Sequence, residues 1–573
     1  MKGTKKAAMI VISLFLCIAS TFSFAGCKKD KIVRDGKTVN IRMYAAGYGT
    51  EWIYELKSKF EKTYAQEGYK LNILEPSNDM LGDVARQEMA LGVEKTGVDV
   101  YITGNCLPDT VGAKGDFGVL AEDIEELVYN QKPIKYNGEE EDKRISEKLE
   151  TERATYTRDS NGVMYQFPYT ASTAGLAVNT AKLARYDLPL PKTTNEFLDC
   201  IDKIYRGSNG VANSETTKIF PVTYVSGTNG YVVPILDMFM AQYDREQYRK
   251  FWSMQEVNNG HATDMLTNGY DVFGQKCVEE MLTLAYALMD VRIAAYGSTT
   301  QNLDQAQAKM MSSNSGAVFM FNGSWMLNEV RLNYRNDVQN LMFIQVPLNS
   351  ALGVKLMGEG TTYNFDPDKC DKILSHLAGL ADENKTVAEM IASVREKFGE
   401  TLSQDVVSEI ASARGIMYDR GLDDMIFINK NSPVKDIAAL MMRMIASDDF
   451  AQTWLETTNS VSPYSLTIDT SNVQYDFVKS AVSIVTNTFK NTVSAGRNIS
   501  GLRKSLGLAA IMPKTTHIPS AIFSGPLVSI YDGRGGYAEN HGREVYANAA
   551  RAMITAEKAY LQSDWESRIS KIG

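Results

Sequence analysis

The residue types that ordinarily make or break bonds are sparse and badly spaced in this chain. Its four histidines are His261, His376, His517 and His541. None sits in a His-Glu-x-x-His pair, and no Gly-x-Ser-x-Gly turn occurs. Metal-assisted hydrolysis and serine acylation therefore lack their machinery. Gly92 and Gly97 have the spacing of a phosphate loop, but Val98 stands where its lysine would be. Gly47 and Gly49 precede a helical pattern, yet Trp52 occupies the third glycine position of a dinucleotide fingerprint. What remains is hydrogen-bonding and stacking chemistry at loop tips. Tyr48 lies in a strand-to-helix loop with Glu51 in the next turn, Asp79 starts a helical pattern, and Thr103 and Asn105 follow a strand. Such groups hold a polar ligand by donors, acceptors and an aromatic face without reacting with it. Asp79, Thr103 and Asn105 also have a plainer reading as helix caps and turn closers. No cofactor and no metal are implied.

The elements that must position these residues follow from hydrophobic periodicity. A strand over 39–44, a small Gly-containing loop over 45–50 and a helix from Glu51 come first. Ile53, Leu56, Phe60 and Tyr64 lie at helical spacing along that helix. A short strand spans 71–74, a helix 79–91, and a strand over 98–102 stops at Thr103-Gly104-Asn105. Strands alternating with helices predict an α/β chain with a mostly parallel sheet covered on both faces. After a charged helical stretch over 137–153, Asp159-Ser160-Asn161-Gly162 turns the chain into an extended segment over 163–169, and 175–179 continues extended. Thr193-Thr194-Asn195-Glu196 is a capping box for a helix that buries Phe197, Ile201 and Ile204. Further on, 316–321 reads as a strand, Asn322-Gly323-Ser324 as a turn, and Trp325 as the opening of a helix. Ser432-Pro433 reads as the cap and first position of another helix. Residues 352–418 fit the alternation least and read as a helical insertion, with a helix over 385–398.

The N-terminal end carries three lysines and no acid over 1–6, an apolar run over 7–24, and then Phe24-Ala25-Gly26-Cys27. This is the pattern of an export signal over 1–26 ending in a lipobox, with Cys27 lipidated and 28–37 a polar spacer. A retained membrane anchor is the alternative, and either places the folded body outside the cell on a tether. Loss of Lys2, Lys5 and Lys6 takes the formal charge from −9 to −12, which argues against nucleic acid as a partner. A 573-residue chain that is 44% apolar can bury enough surface for at least two lobes. Of six cysteines, Cys17 leaves with the signal and Cys27 is modified. Cys106, Cys200, Cys277 and Cys370 remain, without a Cys-x-x-Cys pair, and read either as disulfides in one of three connectivities or as buried thiols.

The order of segments resembles the family 1 extracellular solute-binding proteins, the group that includes maltose-binding proteins. The resemblance runs through Glu88-Met89-Ala90-Leu91-Gly92, Val98-Asp99-Val100-Tyr101, Gly162-Val163-Met164-Tyr165-Gln166-Phe167-Pro168-Tyr169 and Gly175-Leu176-Ala177-Val178-Asn179. It continues through 316–325, with its Asn-Gly-Ser-Trp ending, and through 426–444 and 459–463. Where the family has Pro-Asp-Val this chain has Val98-Asp99-Val100, and Val178-Asn179 replaces a Tyr-Asn pair. The resemblance implies a two-lobed periplasmic-binding-protein-like fold of type II, with ligand held between lobes that close by a hinge motion. It places crossings near 169–175, 418–422 and 459–463. Lobe 1 is then 38–168 plus 423–460, and lobe 2 is 169–422 plus 461–573.

The resemblance further implies a monomeric lipoprotein that hands a carbohydrate to the permease subunits of an ABC importer. The chain's length looks like that of members associated with oligosaccharides. A sugar presents C–H faces to aromatic platforms and a ring of hydroxyls to paired donors and acceptors. Tyr231 and Trp325 match positions where the family stacks on sugar, and Tyr169 falls beside the hinge. With 29 tyrosines and five tryptophans, core or ordinary surface is the competing assignment for each aromatic. A glycoside hydrolase or lyase remains a rival, because it needs only two suitably separated acids and the chain has 69. A surface sensor or adhesin lipoprotein is a third reading. Peptides and polyamines are bound by similar scaffolds.

Overall fold

Thr38–Met43 (β1) is buried along almost its whole length, as expected of a strand covered on both faces. It pairs in parallel with Lys70–Ile73 (β2) on one side and Val100–Thr103 (β3) on the other. The computed structural model describes residues 31–570, apart from 46–47, 105, 107, 113–116, 160, 208–218, 226–230, 254–267, 291–292, 299, 332, 420–423, 465–467 and 494–541. The leader, Cys27 and Asn105 therefore lie outside the described residues.

The first sheet has the order β2-β1-β3-β10-β4, where β4 is Phe167–Pro168 and β10 is Met425–Ile428. β10 runs antiparallel to both its neighbours, with Met425 opposite Thr103 and Pro168. The second sheet has the order β6-β7-β5-β8, from Ile219–Thr223, Gly316–Gly323, Ala174–Asn179 and Leu341–Ile344. Here β6 and β7 are parallel, and β5 is antiparallel to both β7 and β8. Each sheet is mixed and each has its own core. Trp52, Phe60, Phe167 and Trp454 pack in the first, and Phe197, Phe239, Trp252, Phe321 and Trp565 in the second. The helix Gly542–Ile569 lies on the second lobe, where Tyr546 and Trp565 join its core.

The span read as an insertion is helical. Ser350–Met357, Pro367–Asp382, Val387–Phe398 and Gln404–Arg414 enclose a separate core of Leu352, Ile373, Leu377, Met390, Val407 and Ile410. Ile416–Tyr418 (β9) then pairs with Asn491–Val493 (β11).

Local signals fixed some boundaries and misled on others. The Thr193/Glu196 box forms, with the Glu196 amide donating to Thr193 Oγ1 at 3.2 Å and the Lys192 amide to Glu196 Oε2 at 2.7 Å. The helix expected from Asp79 starts at Gly82, because Leu81 is drawn into a bridge with Gly104. The stretch 137–153 is not one helix. The chain turns at Gly138, bridges Ile134 to Glu140, and only then forms Ile145–Lys148 and Thr151–Tyr156. The helix expected at Ser432-Pro433 begins at Lys435, since the Ser432 hydroxyl donates to buried Asp99 at 2.8 Å. Asp99 also accepts from the Asn40 amide, and that tie moves the start of β3 to Val100.

Candidate functional site: the edge where the two sheets meet

The carboxyl ends of β1, β3 and β4 and the amino end of β10 share one edge of the first sheet, which places Tyr44, Gly104, Tyr169 and Asp424 together. The carboxyl ends of β6, β7 and β8 and the amino end of β5 share one edge of the second. Residues 169–173 lead from the first of these edges to the second. Two other segments run beside them. The Ala171 amide donates to Val461 O at 2.7 Å, Thr173 bridges Asp419, and the Ser172 amide donates to Asp419 Oδ1 at 3.1 Å. Arg153 pairs with Asp419 in the same place, with side chains 3% and 0% exposed. Open α/β sheets bind ligands beyond the carboxyl ends of their strands, and both sheets turn those ends to this junction.

On the first lobe, Tyr48 is half-buried with its ring 5.1 Å from Trp454. Its hydroxyl is held beside those of Thr170 and Ser172, and burial, then the Asp424 charge, push its pKa up. Trp454 meets Trp52 and Tyr169 edge-on, and Trp52 stacks on Tyr169 at 5.5 Å and 18°. Tyr169 is thereby only 2% exposed. Thr103 is fully buried, with its hydroxyl donating to Met425 O at 3.3 Å. In this arrangement Tyr169 and Thr103 are both buried. Both face inward because the strands they end are covered on both faces. Glu51 is exposed at the first position of Glu51–Thr63, and Asp79 is exposed on the turn before Gly82.

Asp424 is a residue that local sequence did not single out. It is half-buried, one position before β10, and its charge raises the pKa values of Tyr44, Tyr48 and Tyr169 after their own burial. Only the antiparallel register of β10 brings this carboxylate to the edge.

On the second lobe, Trp325 follows the end of β7 and precedes the short helix Met326–Val330. A Cβ on Gly323 would stand 2.1 Å from the indole ring, so the ring lies directly over a glycine backbone. Ser324 ties this turn to the crossing, donating its amide to Thr173 O at 2.9 Å and accepting from the Thr173 amide at 3.2 Å. Tyr231 lies with its ring 6.3 Å from that of Trp325 at 52°, and both rings are half-buried. One turn beyond Trp325, Glu329 accepts from Gln307 Nε2 and from the Tyr231 hydroxyl. Burial pushes its carboxyl up to about 7. Asn328 donates to Thr458 O at 2.6 Å.

The structure thus brings Tyr48, Tyr231 and Trp325 to the two edges joined by 169–173. A cavity of about 540 Å³ lies elsewhere, at the amino ends of β6 and β7, lined by Phe220, Tyr296, Lys309 and Gly316. Cys106, Cys200, Cys277 and Cys370 are buried free thiols, which decides between the two sequence readings. His376 is in the helical body, bonded to Ser393. Among the described residues no group of three or more His, Cys, Asp or Glu side chains could hold a metal, and no helix is long and apolar enough to cross a membrane.

Two mixed α/β sheets with their carboxyl edges turned to shared crossings define the fold of the solute-binding receptors, and solved structures of that class match nearly the whole chain. A protein described as a probable secreted solute-binding lipoprotein from Streptomyces coelicolor has a TM-score of 0.54 at 14% identity, covering 91% of this chain and 100% of its own. The bacterial solute receptor AcbH, described as having an exclusive preference for β-D-galactopyranose, has a TM-score of 0.51 at 10% identity, covering 90% and 98%. RafE from Streptococcus pneumoniae, in its apo form, gives 0.50 at 12%, covering 92% and 99%. The resemblance read from the sequence holds at the level of the fold. No family profile matches the chain, and no curated protein matches it in sequence.

Proposed function

We propose that this protein is an extracellular solute-binding lipoprotein that captures a carbohydrate, an oligosaccharide by its size class, between its two lobes and delivers it to an ABC importer. The lobes are those drawn from the sequence, 38–168 with 423–460 and 169–422 with 461–573, and Cys27 carries the lipid. The observation that carries the reading is the half-buried Tyr231–Trp325 pair beyond one sheet edge, with Tyr48 beyond the other and residues 169–173 joining the two edges. Two tilted rings offer apolar faces to sugar C–H groups, while Asp424, Glu51 and Asp79 supply acceptors for hydroxyls. The fold is shared with AcbH and with RafE, the latter also solved in complex with raffinose. No bond-making machinery is needed for capture. Closing of the lobes about the crossings would trap the ligand and present a distinct surface to the permease.

The test is a thermal-shift screen of residues 28–573 against mono- and oligosaccharides, amino acids, peptides and polyamines, since a ligand that binds only the folded state raises apparent stability by mass action. A saturable shift with one sugar class supports capture and names the substrate. Sustained release of reducing ends from an oligosaccharide would replace it with the hydrolase reading, and silence across the panel removes carbohydrate capture. Labelling with a fatty-acid probe should be lost in Cys27→Ala, and labelling that persists would sink the anchor.

A further inference from the structure

Nothing in the sequence points to Glu329, yet it is tied to Tyr231 and lies one turn from Trp325. It is on Met326–Val330, four residues after Trp325, which caps that helix, so it lies about one helical turn from the indole. Its carboxylate accepts from Gln307, which is 4% exposed on Leu303–Met311, and from Tyr231, which precedes Val233–Tyr243. Three separate segments therefore converge on one half-buried carboxyl. The charged group that faces it is Asp304, from the Gln307 helix, and the titratable one is Tyr231. Tyr231 has its ring against Trp325, and Trp325 is fixed from beneath by the bare backbone of Gly323. The indole thus has a floor, but the phenol is held at its hydroxyl end.

We propose that Glu329 is the positioning residue of this half of the site: with Gln307 behind it, it holds the Tyr231 hydroxyl and so sets the angle between the Tyr231 and Trp325 rings. The inference rests on the reading that those rings meet the ligand. Aromatic stacking on a sugar depends on ring orientation, so a residue that fixes the angle selects which ring faces can be gripped at once. The carboxyl changes charge close to neutral pH, because burial and Asp304 both disfavour its anion. A neutral carboxyl and a carboxylate hold a phenol differently: the anion is the stronger acceptor, and the neutral acid can itself donate. The Tyr231–Trp325 geometry then responds to pH across neutrality without Glu329 itself touching the ligand.

The experiment needs no ligand, so it can fail apart from the carbohydrate reading. Full-length soluble protein, residues 28–573, is labelled with 5-fluorotryptophan, giving five fluorine resonances, and the Trp325 line is assigned with Trp325→Phe. In the wild type the Trp325 line shifts with a midpoint near neutral pH, while Glu329→Gln abolishes the titration and leaves the other four lines in place. Tyr231→Phe, which removes the hydroxyl that Glu329 holds, also flattens it. Should Glu329→Ala disturb all five lines, Glu329→Gln decides. A Trp325 line that does not move with pH in the wild type, or that titrates unchanged in Glu329→Gln, overturns the proposal. With a sugar from the screen, Glu329→Ala weakens binding about tenfold and Glu329→Gln by less than about threefold at pH 6. Equal losses in both would also overturn it. A titrating Trp325 in a protein that binds no sugar leaves the positioning role and removes the carbohydrate.

Discussion

Asp419→Asn tests whether the crossings are held together electrostatically. Asp419 accepts from the Ser172 amide and pairs with Arg153, so one carboxylate joins the first crossing, the second crossing and the first lobe. The two side chains are 0% and 3% exposed, so solvent screening gives no discount and raising salt to 0.5 M should change little. Asparagine has nearly the same shape and keeps an acceptor for the Ser172 amide, worth about 1 kcal/mol. What it removes is the counter-charge, leaving the Arg153 guanidinium buried. Removing one partner of a buried pair costs roughly 3–5 kcal/mol. Lys490 adds to the cost, because it lies nearby, half-buried, with its pKa lowered by desolvation and then by Arg153. The expected loss is therefore about 3–4 kcal/mol, a large share of the roughly 5–15 kcal/mol that holds a typical domain folded.

The assay is urea unfolding of residues 28–573, with midpoints compared at a common slope, for Asp419→Asn, Arg153→Met and the double variant. Arg153→Met should cost a similar amount by stranding the carboxylate. The double variant should lose less than the sum by about 2 kcal/mol or more, since neither charge is then left alone. A single-variant cost under about 1 kcal/mol, or strict additivity, would refute the idea that this pair fastens the crossings.

Three further outcomes follow from the same geometry. Trp325→Ala should weaken sugar binding by about 1–3 kcal/mol in calorimetry. Gly323→Ala, whose new methyl would collide with the indole, should do nearly as much, and unchanged affinity in both removes Trp325 from the site. Glu329 has a folded pKa of about 7, raised from 4.5, so the folded protein holds its proton more tightly than the unfolded chain. The stability this gives is complete below about pH 4.5 and is lost as pH rises through 7. Glu329→Gln should therefore flatten the fall in melting temperature between pH 5 and 8, and a parallel fall in both proteins would contradict it. The four buried thiols should be unreactive to a thiol reagent in the native protein and all titrate in denaturant, whereas fewer than four in denaturant would mean a disulfide.

Several elements of both lobes were legible along the chain because their signals are local. The apolar alternation of 39–43, the stripe of Ile53, Leu56 and Phe60, and the Thr193/Glu196 box each act over a few residues, and each element formed where its signal stood. Signals failed where a distant group made a better offer. Asp99 takes the Ser432 hydroxyl from a helix cap, and Gly104 takes Leu81 from the helix start.

The candidate site divides in the same way. Tyr48 is proposed from its loop and Tyr231 and Trp325 from the family resemblance, and the structure puts all three beside the two sheet edges. Thr103 and Tyr169 are buried in this arrangement, and whether a strand-end residue is covered depends on what packs over it, which local sequence does not show. Asp424 and Glu329 could not be found from sequence. One arrives through the pairing of β10 with β3, whose contact residues Thr103 and Met425 are 322 positions apart, and the other through three elements meeting on one carboxyl. The sequence by itself determined which segments are strands and helices and which residue types stand at their ends, because periodicity and capping are properties of neighbours. The tertiary structure alone decided which of those ends face one another, because that is set by long-range pairing and by which side chains the cores can cover.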